Sequence, residues 1–83
     1  MLSRSQYTLI AKAIADGHNR TCADVLSGLN VPVLPTANRR AMMRLTQNFV
    51  DSFCKVCISD NPAFDKLKFT VAVLDNISTE YKP

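Results

Sequence analysis

Apolar residues recur at helical spacing in two long stretches, and a proline-bearing segment separates them. Tyr7, Ile10, Ala11 and Ile14 line one side of a helix expected from about Arg4 to Asp16, with Arg4, Thr8 and Lys12 on the other side. Ser3 and Gln6 stand at capping-box spacing, so each side chain can satisfy the other's backbone amide. Gly17 is a natural stop for this helix, which leaves His18 in an exposed loop. Thr21 then opens a short helix through Ala23, Val25 and Leu26, closed by Gly28. Leu29 to Pro35 reads as an extended connector, because Pro32 and Pro35 forbid a continuous helix. Its Val and Leu residues are expected to fold back on the core.

The second stretch predicts a long central helix from about Asn38 to Ser59, capped by Thr36 or Asn38. Met42, Leu45, Phe49, Phe53 and Val56 form its apolar stripe. Arg40, Arg44, Gln47, Asp51 and Lys55 form the wet one, with Asp51 and Lys55 spaced as a helical ion pair. The segment Ser59-Asp60-Asn61-Pro62 breaks the helix. Asp65 caps a third, running to about Leu74 or Asp75, and Phe64 and Phe69 stand at hydrophobic-staple positions around that cap. Leu67, Phe69, Val71 and Val73 also alternate as a strand would. A lone strand has no partner in this chain, so helix is the expected state. The fold class is therefore all-α: one domain over residues 1–83, of three to four helices, with residues 77–83 a frayed tail.

At 83 residues and 47% apolar composition, the chain has room for one domain with a thin core. The net charge of +3 is mild. It excludes a polyacidic nucleic-acid mimic and falls short of the concentrated basic face of a dedicated nucleic-acid binder. The polar N-terminal residues predict no secretory leader, and no run is apolar enough to span a bilayer, so a reducing cytoplasm is the expected compartment.

Leu2 to Ile14 resembles the opening of small uncharacterised proteins of tailed bacteriophages and prophages. Asp60-Asn61-Pro62-Ala63-Phe64-Asp65-Lys66-Leu67-Lys68-Phe69 resembles their closing segment, Asn-Pro-x-Phe-Asp followed by a basic residue and a basic-Phe pair. The two stretches cover a quarter to a third of the chain. The resemblance implies an all-helical fold, with helix after Asp65, and a small accessory protein that binds a host or phage protein. Inhibitors of bacterial defence systems are one such class.

Three constellations invite chemistry. Cys54 and Cys57, with His18 and Cys22, supply the four soft ligands of a structural zinc. Both C-x-x-C cysteines fall in mid-helix, however, where buried small hydrophobes are the expected reading, so no metal or other cofactor is assigned. Arg39, Arg40 and Arg44 cluster at the start of the long helix, where the macrodipole disfavours positive charge. Something must offset that cost, and an acidic partner would do so. Carboxylates are scattered, and no nucleophile, base and oxyanion site converge, so no enzyme is expected. The reading is a protein-binding module with Arg39, Arg40 and Arg44 as partner-binding residues, and a homo-oligomer formed through surplus apolar surface on the long helix. A nucleic-acid-binding regulator using the same arginines is the alternative.

Overall fold

The structure, a computed structural model, describes residues 2–83. It consists of α1 (Arg4–Leu29), α2 (Thr36–Asp60), α3 (Lys66–Asp75) and a closing 3-10 turn, Thr79–Tyr81, with no strand among the described residues. The all-α expectation holds, including helix rather than strand after Asp65. α2 is the long helix read from the sequence, and α1 matches it in length.

The capping box forms as expected: Gln6 N–H donates to Ser3 Oγ and Ser3 N–H to Gln6 Oε1. The stop at Gly17 does not occur. α1 runs through Gly17 and Gly28, absorbing the short second helix, and neither glycine adopts positive φ. Buried residues on both sides of Gly17 (Ala15, His18, Cys22) hold the helix against the roughly 1 kcal/mol propensity cost of an interior glycine. The left-handed residue is Asn30, with φ 54°, whose N–H donates to the Leu26 and Ser27 carbonyls and ends α1.

The connector is extended, but of its apolar residues only Leu34 is fully buried. Neither Thr36 nor Asn38 caps α2; Pro35 occupies that position with no side-chain bond. Asp65 does cap α3, through Lys68 N–H, and the Phe64 and Phe69 rings of the staple lie 5.7 Å apart. Asp51 reaches across to Lys66 Nζ at 3.1 Å, at the start of α3, instead of pairing with Lys55.

Contacts along the helices set the topology. Tyr7 lies beside Cys57, and His18 meets Thr46, so α1 and α2 run antiparallel. Tyr7 packs against Phe64 and Phe69, while Asn19 bonds Asn76 and Ser78, so α3 runs parallel to α1. The core between them is made largely of small residues, among them Ala11, Ala15, Cys22, Val50, Cys54 and Val73. Small side chains let helices approach closely.

The tail expected to fray is packed instead. Ile77 is 3% and Tyr81 8% exposed, because Asn19 Oδ1 holds Ser78 N–H and Arg39 holds the Lys82 carbonyl. Among the described residues no helix is long and apolar enough to cross a membrane.

Candidate functional site

α2 carries three faces rather than two. Its buried face is Met43, Thr46, Val50, Cys54 and Cys57. The apolar stripe read from the sequence lies about 100° around the helix from it. On that stripe Leu45 is 63% exposed and Phe49 56%, Val56 is also exposed, and Met42 and Phe53 are half-buried. The reason is steric. The α1–α2 contact takes the small residues, and the bulky ones are turned to its edge.

This stripe forms one wall of an open, largely apolar groove. Met42, Leu45, Phe49 and Phe53 of α2 face Ile10, Ala13, Ile14, Gly17 and Thr21 of α1. No lining residue comes from α3, whose Phe69 packs on Phe53 at one end of the groove. The floor holds His18 and Thr46. From Asn38 to Ser59 the apolar face of α2 bears no charge, because Arg40, Arg44, Asp51 and Lys55 fall on the third face.

The three predicted arginines separate. Arg39 is half-buried and bonded within the chain through each of its three guanidinium nitrogens. Its Nε donates to the Leu34 carbonyl at 3.0 Å, Nη1 to the Lys82 carbonyl at 2.9 Å and Nη2 to Thr36 Oγ1 at 2.8 Å. It is a clamp on the connector and the tail, which gives the residue a structural role within the chain. Two backbone carbonyls offset part of the positive charge in the first turn. Arg40 and Arg44 are exposed, one turn apart, and their side chains have no hydrogen-bond or ion-pair partner among the described residues.

His18 was expected in an exposed loop and is 3% exposed inside α1. One ring nitrogen, Nδ1, lies 2.7 Å from Thr46 Oγ1, while Nε2 is buried without a hydrogen bond. Burial holds the imidazole pKa below its ordinary value, offset only in part by the nearby Tyr81 backbone. Sequence reasoning missed this residue because Gly17 was read as a stop; continuing the helical phase from Ala11 through Ala15 to Cys22 would have placed it inside.

Cys22, Cys54 and Cys57 are free and buried. Burial raises the thiol pKa of Cys22 and Cys54, which keeps them protonated and unreactive. Among the described residues no three His, Cys, Asp or Glu side chains gather as metal ligands would, so the set His18, Cys22, Cys54 and Cys57 is not brought together.

A second concavity lies at the start of α3, where Tyr7, Phe64 and Phe69 meet beneath Arg4 and Lys68. Its rings pack mainly on one another. Set against known proteins, the chain matches no family model, no curated protein and no solved structure.

Proposed function

We propose that this chain is a non-catalytic accessory module that acts by protein–protein binding, and that the contact is made by the open α1–α2 face. The observation that carries the reading is the exposure of Leu45 and Phe49 on the rim of an apolar groove. Large apolar side chains grouped on a surface cost solubility unless a partner covers them. Aromatic anchors beside a groove are the usual centre of a protein interface. The protonated thiols of Cys22 and Cys54 and the scattered carboxylates fit binding better than turnover. The resemblance to small phage proteins suggests a host or phage protein as the partner, met in the host cytoplasm, with inhibition of a host or defence protein as one consequence.

A second reading rests on Arg40 and Arg44, which are one turn apart and unpaired among the described residues. They would take the phosphates of a nucleic acid, or steer an acidic protein surface. They lie on a different face of α2 from the groove, so the two readings separate by mutation. A partner captured by the immobilised full chain is compared across two double variants, Leu45→Asp with Phe49→Asp, and Arg40→Glu with Arg44→Glu. Loss of capture in the first alone is the expected result. Loss in the second alone, or salt-sensitive retention of a DNA duplex, favours the arginine face.

A further inference from the structure

α3 is about 15 Å long, whereas α1 runs for about 39 Å, so α3 accompanies α1 only as far as the Asn19–Asn76 bond. Beyond that point the C-terminal segment continues along the pair, with Ile77 and Tyr81 buried. Side chains of α1 and α2 hold its backbone. Asn19 Nδ2 donates to the Asn76 carbonyl at 3.1 Å, and Ser78 N–H donates to Asn19 Oδ1 at 2.9 Å. Arg39 Nη1 donates to the Lys82 carbonyl at 2.9 Å. Within the segment the bonds are those of a single 3-10 turn, from Tyr81 N–H to Ser78 and from Lys82 N–H to Thr79.

His18 sits directly before Asn19, with the Tyr81 backbone beside its ring. Thr46 occupies Nδ1, and Nε2 is buried without a hydrogen bond. We infer that residues 77–82 form an acid-released strap: they lie across His18, and a proton on its ring favours the state in which the strap has left.

The reason is solvation. A buried ring nitrogen with no bond to make holds a proton poorly, because the imidazolium loses its water. With the strap away, water reaches Nε2 and solvates the charged ring. The undocked state therefore binds the proton more tightly, and acid moves the population toward it. The strap stays docked above about pH 6.5, the ordinary value of a solvated imidazole. Below that, one proton raises the ratio of released to docked strap by at most about tenfold per pH unit.

The surrounding groups leave His18 in control of this window. Its titratable neighbours are the Cys22 thiol, one turn along α1, and the Tyr81 phenol of the strap, which has Glu80 beside it. Burial pushes both the thiol and the phenol above their ordinary values, so neither gains charge as pH falls. α2 presents Thr46, which does not titrate. Burial and the Tyr81 backbone, rather than any charged side chain of α2 or α3, set the His18 pKa. The fold need not open with the strap, because Tyr7, Phe53, Phe64 and Phe69 tie the three helices together at the other end.

An NMR titration of the full chain from pH 7.5 to pH 4.5 tests this. The Ile77 methyls and the Ser78 amide are expected to move with the same midpoint as the His18 ring, while the Phe64 and Phe69 rings keep their native positions. In His18→Leu the strap signals should lose this dependence. Asn19→Ala removes two of the strap's bonds, and linkage then raises the His18 midpoint toward about 6.5. Strap signals that stay fixed while His18 titrates overturn the inference. So do strap signals that still move in His18→Leu, or a His18 midpoint unchanged by Asn19→Ala. Loss of the Phe64 and Phe69 signals together with those of the strap means that the whole fold opens, and also overturns it. If His18→Leu fails to fold, the Asn19→Ala midpoint decides.

Discussion

His18 Nδ1 and Thr46 Oγ1 lie 2.7 Å apart at the middle of the α1–α2 contact, a single polar pair within an otherwise largely apolar seam. The bond fixes the register of two antiparallel helices whose remaining contacts there are small side chains that would tolerate sliding. It also leaves the second ring nitrogen buried and unbonded. Both facts have measurable consequences.

Thr46→Val removes the hydrogen bond between His18 Nδ1 and Thr46 Oγ1. The loss is expected to cost about 1–3 kcal/mol, because a polar ring is then stranded in the core. Adding His18→Leu to that variant should recover much of the loss, since an apolar pair needs no such bond. Urea denaturation of the two singles and the double gives the coupling directly; strict additivity would show that the bond contributes nothing.

The same histidine makes stability depend on pH. Burial lowers its pKa in the folded state below the unfolded value of about 6.5. The unfolded chain therefore binds the proton first. The stabilisation is complete above about pH 6.5 and is lost as pH falls toward the folded-state pKa. The midpoint temperature is expected to fall through this window in the wild type and to flatten in His18→Leu. An identical slope in both would place the titration elsewhere.

Arg39 should behave unlike its neighbours. Arg39→Ala frees the connector and the tail together and is expected to cost roughly 1.5–3 kcal/mol, the scale of a hydrogen bond to a charged group. Arg40→Ala and Arg44→Ala, with no partners to lose, should stay within about 0.5 kcal/mol. Thermal denaturation distinguishes the three, and equal effects would contradict the clamp.

Gly28 lies near the end of α1, outside the groove, and a Cβ there also meets open space. Gly28→Ala is expected to stabilise the fold by about 0.5–1 kcal/mol through helix propensity and a less flexible unfolded chain. Destabilisation would mean that the position is covered in the native assembly.

Much of this was legible in the residues. The Ser3–Gln6 box, the Asp65 cap, the Phe64–Phe69 staple and the helix after Asp65 follow from local spacing, and local spacing is what a sequence states most directly. The errors have one physical origin. Gly17 was weighed as a local stop signal, but tertiary burial of Ala15, His18 and Cys22 overrides a cost of about 1 kcal/mol. The stripe of α2 is located by its bulk, yet the helices meet on Ala, Cys and Thr, so Leu45 and Phe49 only border the core. Arg39, Arg40 and Arg44 look alike in sequence and differ in what the connector and the tail bring to them. The tail itself carried no periodic signal; two well-placed apolar residues, Ile77 and Tyr81, dock it.

The most direct measurement is a methyl-resolved NMR titration of the full chain, with concentration, or a captured partner, as the variable. Shifts at Ile10, Ile14, Thr21, Met42 and Leu45, with Leu67 and Val71 of α3 silent, are the expected result. A spectrum in which the groove methyls never move, while binding shifts α3 or the Arg40–Arg44 face alone, would contradict recognition through the α1–α2 face.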